Sequence, residues 1–127
     1  MKYFLDNCIC YKYAGMLRAI DVEIVALRES YPEHISDVEL LTQLKGSGYV
    51  FMTADRRQQT RRQEARAIVD AGLTAVFFGP FWSKMKMWPA AAWIVNRWDA
   101  IDSFARNAKV GTCAEFNHNG KFSLFQP

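Results

Sequence analysis

The sequence lacks the features that mark exported, disulfide-linked or membrane-spanning proteins. Its three cysteines are an odd number, which favours a reducing compartment over a disulfide framework. No apolar run approaches the roughly 18 residues that a membrane-spanning helix needs. The N-terminal stretch MKYFLDNCIC contains an acid, Asp6, and no long apolar core, so it does not resemble a signal peptide. We therefore expect a cytoplasmic protein.

Internal repeats, low-complexity tracts and linkers are also lacking. The length of 127 residues is typical of one domain, and hydrophobic residues make up 50% of the chain. This content is enough for one packed core and argues against disorder. We therefore expect a single domain over residues 1–127.

An excess of acid is absent as well, because the formal net charge is +3. The positive charge is concentrated in one segment. Between Arg56 and Arg66 there are five arginines and one acid, Glu64, so the rest of the chain has no positive excess. A local basic patch of this kind is what binding to a phosphate backbone requires. A solvated helix face is the simpler alternative.

The hydrophobic pattern alternates between strands and helices. Strands are predicted over 2–5, 21–27, 49–54 and 74–78, and helices over 9–20, from Ser36 to Gly46 or Gly48, and over 60–71. This alternation predicts a parallel sheet covered by helices. A longer helix is predicted from Pro89 to about Ala108, and Asn119-Gly120 lies between two alternating runs, which predicts a β-hairpin.

Three acids are predicted to meet at one edge of this sheet. Asp6 and Asp55 end two of the strands, and Asp37 begins the helix that follows the second strand. Ligands of parallel sheets bind beyond the carboxyl ends of the strands. Carboxylates at such an edge suit Mg²⁺, and a metal beside arginines suits phosphodiester hydrolysis. Two of the acids also have simpler explanations when taken singly. Asp37 would be stabilised by the dipole of its helix, and Asp55 could form a surface ion pair.

The motifs FLDN at 4–7, DVELL at 37–41 and VFMTAD at 50–55 resemble the acidic positions of PIN-like domains. The similarity extends over residues 2–80, and within the family it is greatest to the compact subgroup that includes VapC-type toxins. The resemblance implies an α/β fold, namely a three-layer α/β/α sandwich with a central, mainly parallel sheet. The hairpin predicted above would extend this fold at its C-terminal end.

The resemblance also implies an activity, that of an endoribonuclease that depends on Mg²⁺ or Mn²⁺. The catalytic and metal-binding positions of the family fall on Asp6, Asp37 and Asp55, with Asn7, Glu39 and Thr53 as supporting residues. Glu39 has a capping-box role in addition. Many PIN domains have a fourth acid shortly after the third, but this chain has Arg56 and Arg57 there. We therefore expect at most one well-occupied metal site.

Two surfaces are expected to contact partners. An RNA strand would be held by the arginines of the basic segment, which are Arg56, Arg57, Arg61, Arg62 and Arg66. The second surface belongs to the Trp-rich region over 82–98, where residues 82–88 look exposed. Its candidate residues are Trp88, Trp93, Arg97 and Phe104, which would contact an antitoxin or a second copy of the chain. Packing of the last three against the hairpin is the alternative, and base stacking is a third.

Two functions from different classes remain open at this point. One is a metal-dependent ribonuclease that acts as the toxin of a type II toxin–antitoxin system. The other is a non-catalytic PIN-like module that binds RNA or protein. A phospho-acceptor signalling domain is disfavoured, because such domains usually have an acidic pair near the first strand and a lysine at a later strand end.

Overall fold

The computed structural model describes residues 1–54 and 58–127, except for the side chains of residues 58–61. Six strands form one sheet in the order β2-β1-β3-β4-β5-β6. The strands are β1 (Tyr3–Leu5), β2 (Ile24–Ala26), β3 (Val50–Ala54), β4 (Thr74–Phe78), β5 (Cys113–Phe116) and β6 (Phe122–Leu124). The helices are α1 (Lys12–Ala19), α2 (Leu27–Ser30), α3 (Asp37–Leu44), α4 (Gln58–Asp70), α5 (Met87–Asn96) and α6 (Trp98–Asn107).

The sheet is parallel from β2 to β5, and β6 pairs antiparallel with β5. Helices α1, α5 and α6 pack on one face of the sheet, and α2, α3 and α4 pack on the other. Alternate residues of each strand supply the two cores, so that Leu5 lies in the first and Phe4 in the second. The α/β/α sandwich and the C-terminal hairpin are confirmed.

The β2 edge of the sheet is closed by two side chains. Arg18 donates a hydrogen bond to the carbonyl oxygen of Ile24 at 3.0 Å. Glu29 accepts one from the N–H of Ala26 at 2.8 Å. Arg18 and Glu29 also pair with each other, with an Nη2–Oε2 distance of 2.6 Å. Two of the backbone groups of β2 that point away from β1, the C=O of Ile24 and the N–H of Ala26, are therefore occupied.

The C-terminal helical region departs from the prediction. In place of one helix from Pro89 to about Ala108, α5 and α6 are separated at Arg97, whose φ and ψ of −101° and 2° are not helical. The two helices bury different residues, including Ile94 in α5 and Ile101 in α6. Because of the break, the apolar residues of α5 and α6 cover a larger area of the sheet than the single apolar face of one straight helix would.

The segment before α5 was expected to be exposed, and this expectation is wrong for Trp82. Pro80–Lys84 forms a turn of 3-10 helix that buries the Trp82 side chain. Its ring contacts those of Tyr13, Phe78 and Trp93 at centroid distances from 4.9 to 6.1 Å. Trp88 is 85% exposed, in agreement with the expectation.

The hairpin covers three of the four residues that were predicted to bind a partner. Trp93 donates a hydrogen bond from Nε1 to the carbonyl oxygen of His118 at 2.8 Å. The ring of Phe104 lies 4.9 Å from that of Phe122, and the side chain of Arg97 lies against Gly120. Trp93 and Phe104 are buried, so a partner could not reach them in this fold. The alternative of packing against the hairpin is the correct one for these residues.

None of the helices in the described part of the chain has the length and apolar character needed to span a membrane.

The turn of the hairpin depends on Gly120, which leads to a test of the fold. Gly120 has a φ of 77°, and a Cβ there would lie 2.5 Å from Cδ of Arg97. We expect Gly120→Ala to lower the free energy of unfolding by about 1–2 kcal/mol, measured by urea denaturation. Gly15→Ala is the matched control, because Gly15 is in α1 and its nearest neighbouring atom would be 3.8 Å away. It should raise stability by about 0.5–1 kcal/mol. Equal stability of the two variants would contradict this role of the turn.

Candidate active site

Asp6 lies at the carboxyl end of β1, beside Thr53 at the end of β3. The parallel register pairs Leu5 with Met52, so Asp6 and Thr53 are next in line. The N–H of Asp6 continues the pairing by donating to the carbonyl oxygen of Met52 at 2.9 Å. Thr53 is on the same side of β3 as Phe51, which faces the α3 and α4 layer. Sheet register alone therefore brings the carboxylate and the hydroxyl together.

Both oxygens of the Asp6 carboxylate accept hydrogen bonds. The hydroxyl of Thr53, a residue only 1% exposed, donates to Oδ2 at 2.8 Å. The backbone N–H of Asn7 donates to Oδ1 at 2.7 Å. These bonds fix the orientation of the carboxylate. Thr53 and the backbone of Asn7 therefore both contact Asp6, and their supporting roles at a functional site stay predictions.

The pKa of Asp6 is raised above its ordinary value. Burial is the largest cause, because it penalises the charged form. The hydrogen bonds from Thr53 and Asn7 lower the pKa, and the negative charge of Asp37 raises it. The net rise shows that the surroundings of Asp6 supply less stabilisation of negative charge than water does.

A cavity of about 450 Å³ opens between α3 and α4 at this edge of the sheet. Its acidic lining residues are Asp6, Asp37 and Glu64. The other lining residues are mostly apolar and comprise Leu40, Leu41, Phe51, Gln63, Ala67 and Ile68. The structure therefore brings Asp6 and Asp37 to one cavity, as the sequence predicted, and adds Glu64.

Asp37 reaches the cavity from the first turn of α3. The hydroxyl of Ser36 accepts a hydrogen bond from the N–H of Glu39 at 3.1 Å, which caps the helix at the predicted position. Glu39 is itself exposed and does not line the cavity. Its backbone serves the cap, and its predicted supporting role at the site remains a prediction.

Glu64 was not proposed as a site residue from the sequence. Within α4, the residues at 63, 64, 67 and 68 share one face and line the cavity. Glu64 could have been identified from its position four residues before Ile68, which is buried, because residues four apart share a helix face. The arginines on both sides of Glu64 indicated a solvent-facing helix instead.

Several predicted residues lie outside the described part of the chain. Asp55, Arg56 and Arg57 belong to this group, as does the side chain of Arg61. Arg62 and Arg66 are described, and both are exposed on α4. At about 100° per residue, they lie on the side of the helix away from the residues that line the acidic cavity. Nε of Arg66 is 3.6 Å from Oδ1 of Asp70, so part of its charge is balanced locally.

Cys8 lies against the Asp6–Thr53 pair. Its Sγ lies 3.1 Å from Oγ1 of Thr53 and 3.7 Å from Oδ2 of Asp6, and the N–H of Ala54 donates to it at 3.3 Å. Burial, followed by the charge of Asp6, raises the pKa of the thiol to about 11. A thiol with this pKa is inert at neutral pH, so Cys8 packs behind the Asp6–Thr53 pair as a neutral group.

The donor atoms at the cavity suit a hard divalent cation. They are carboxylate oxygens, and a cation bound beside them would offset the burial that disfavours the ionised form of Asp6. No group of three or more His, Cys, Asp or Glu side chains within the described ranges is arranged to hold a metal ion. Asp55, the residue immediately after β3, lies outside those ranges. Two carboxylates with water can bind Mg²⁺, so the residues present fit the ion.

Comparison with known protein families matches residues 1–80 to the family described as a PIN like domain. The match covers β1 to β4 and includes every acid of the cavity. No curated protein matches the chain. No solved structure matches it.

The Asp6–Thr53 hydrogen bond can be tested with Thr53→Val, which keeps the shape of the side chain and removes the hydroxyl. We expect a loss of about 1–2 kcal/mol in the free energy of unfolding at a pH where Asp6 is ionised. The loss should shrink at low pH, because the bond lowers the pKa of Asp6 and therefore stabilises mainly the charged form. Urea denaturation across a pH series measures both effects.

Thr42→Val provides the control for this test. The hydroxyl of Thr42 donates to the carbonyl oxygen of Val38 within α3, at 2.7 Å, and has no part in the Asp6 network. Its effect on stability should not vary with pH between the two ionisation states of Asp6. A Thr53→Val effect that is equally independent of pH would show that the hydroxyl does not stabilise the Asp6 carboxylate.

Proposed function

Because the chain belongs to the PIN-like domain family, whose members are generally nucleases, we propose that it is a metal-dependent endoribonuclease. The observation that carries the proposal is the common cavity of Asp6 and Asp37, in which the Asp6 carboxylate is fixed by Thr53. An acid that serves only to cap or to pair at the surface would not be buried beside a second acid.

Asp6, Asp37 and Asp55 would hold one Mg²⁺ or Mn²⁺ ion, and Glu64 extends this set to a fourth acid. A divalent cation bound there would supply positive charge to a phosphodiester during hydrolysis. The residues of the chain prepare the site for it. Thr53 and the N–H of Asn7 orient Asp6, so its oxygens need little rearrangement on binding.

The basic segment would bind the RNA backbone next to this cavity. Arg56, Arg57 and Arg61 are nearest in sequence to Asp55, and we assign them to the phosphates around the scissile bond. Arg62 and Arg66 face away from the cavity lining, so we assign them to more distant phosphates of the strand. Salt should weaken the binding in either case.

We further propose that the ribonuclease is the toxin of a type II toxin–antitoxin pair. An antitoxin must contact a surface that is exposed in the free toxin. Among the four residues that the sequence predicts to contact a partner, Trp88 meets this condition, because it is 85% exposed at the start of α5. Tryptophan is enriched at protein interfaces.

A non-catalytic PIN-like module is the second candidate. The observation that favours it is in the sequence, where Arg56 and Arg57 occupy the positions at which many PIN domains have a fourth acid. Such a module would bind RNA in a salt-dependent way and would not cleave it.

Cleavage of a labelled RNA panel distinguishes the two candidates. We expect the chain to cleave RNA with Mg²⁺ or Mn²⁺ and not with EDTA. Asp6→Asn keeps the size of the side chain and removes the charge, and it should lower the rate by about 100-fold or more. Arg106→Gln is a control for loss of a charge in an ion pair on α6. Full activity of Asp6→Asn with Mg²⁺ would contradict the proposed mechanism.

Metal binding has a readout that does not depend on activity. A ligand that binds only the folded state at 100 times its Kd stabilises it by about 2.7 kcal/mol. We therefore expect Mn²⁺ to raise the melting temperature of the chain.

Two glutamate variants test whether the Mn²⁺-induced rise in melting temperature comes from binding in the cavity. Glu64→Gln should reduce the Mn²⁺-induced rise, because Glu64 lines the cavity. Glu39→Gln should leave it unchanged, because Glu39 is exposed and does not line the cavity. If both variants keep the full rise, Glu64 is not a metal ligand; if Mn²⁺ has no effect on the unmodified chain, the cavity does not bind the ion.

A further inference from the structure

Strand β6 leaves one edge of the sheet open. The N–H of Asn117 donates to the carbonyl oxygen of Lys121, and the N–H of Phe125 donates to that of Cys113. Because hydrogen-bonded pairs alternate in an antiparallel ladder, the N–H and C=O groups of Phe122 and Leu124 point away from β5. Within the described part of the chain, we find no hydrogen bond to these outward groups.

The two edges of the sheet therefore differ. At β2 the outward C=O of Ile24 is bound by Arg18, and the outward N–H of Ala26 is bound by Glu29. Unprotected edge strands template pairing with other chains, and proteins usually cover or charge them. An edge left open opposite one that is closed indicates a site for an added strand.

A groove of about 680 Å³ runs beside the open edge, between β6 and α6. Phe122 and Leu124 line it and remain 46% and 62% exposed. The ring of Phe122 is fixed by contacts with those of Phe104 and Phe116, at centroid distances of 4.9 and 5.6 Å. The groove can therefore take apolar side chains from a strand that pairs with β6.

The charge of the groove is positive. Lys109 and Lys121 line it, and no Asp or Glu does so among the described residues. A second copy of this chain would not balance these lysines through its own β6, because residues 119–127 contain one lysine and no acid. Charge complementarity therefore favours a different chain, one that carries acids.

We propose that β6 and this groove bind an extended segment of a partner protein that has a short apolar run with acidic residues at both ends. The segment pairs with the outward backbone groups of Phe122 and Leu124, as in β-strand addition. Side chains of the run that face the groove enter it, and the carboxylates at the ends of the run meet Lys109 and Lys121. The surface shares no lining residue with the acidic cavity, so the proposal does not depend on nuclease activity.

Fluorescence anisotropy with labelled peptides tests the proposal on the full chain. The first probe is a peptide of about eight residues in which a run of Val lies between Glu residues at both ends, and the second has Lys in place of Glu. We expect the Glu probe to bind at least about tenfold more tightly, with an affinity that falls as salt is added. The Glu probe methylated on alternate backbone nitrogens should bind weakly, because it cannot complete the ladder. Equal affinity for all three probes would overturn the proposal.

Variants of Leu124 separate backbone pairing from side-chain contact. Leu124→Ala removes the apolar side chain, and Leu124→Pro also removes the outward N–H without loss of a bond to β5. We expect Leu124→Pro to bind the Glu probe more weakly than Leu124→Ala. Ser123→Ala, which alters a side chain outside the groove, should bind as the unmodified chain does. Equal binding by the Pro and Ala variants would contradict the strand addition; if Leu124→Pro does not fold, the methylated probe decides.

Charge reversal and self-association complete the test. The double variant Lys109→Glu and Lys121→Glu should prefer the Lys probe. An unchanged preference for the Glu probe would show that the lysines do not select the partner.

Sedimentation velocity of the chain alone should give a monomer over the concentrations used. A dimer that is lost in Leu124→Pro would identify the occupant as a second copy and would overturn the assignment to an acidic partner.

Discussion

The hydrogen bond from Thr53 to Asp6 is the constraint around which the acidic cavity is organised. Burial penalises the charge of Asp6, and the nearby Asp37 adds to the penalty. Thr53 and the N–H of Asn7 return part of the stabilisation that water would give, and the pKa of Asp6 still remains raised. The carboxylates of the cavity therefore lack a balancing positive charge, because none of the described residues that line the cavity is a Lys, Arg or His.

Features that depend on local chemistry could be predicted from the sequence. Ser36 caps α3 because its hydroxyl reaches an N–H three residues on, and Asn119-Gly120 forms the hairpin because Gly120 accepts a positive φ. The meeting of Asp6 and Asp37 followed from one further rule, that parallel strands end at the same edge. Each of these inferences needed only a short stretch of sequence and a general geometric rule.

Features that depend on packing between distant segments could not be predicted. Periodicity favoured one helix through Arg97, whereas the break places Trp93 and Phe104 against the hairpin. Trp82 is covered by aromatic rings from three other elements, which no local pattern indicates. Glu64 joins the cavity because of the rotation of α4 about its axis, and a shift of one residue would have turned it by about 100°.

The ion pair of Arg18 and Glu29 has a consequence for how copies of this chain could assemble. Continuous growth of a sheet through many molecules requires that each one offer two free edges. Here the pair occupies the C=O of Ile24 and the N–H of Ala26 at β2, whereas no hydrogen bond within the described residues reaches the outward groups of Phe122 and Leu124 at β6. A further strand could therefore add directly at β6 but would have to displace this pair at β2, which disfavours continuous growth into fibres.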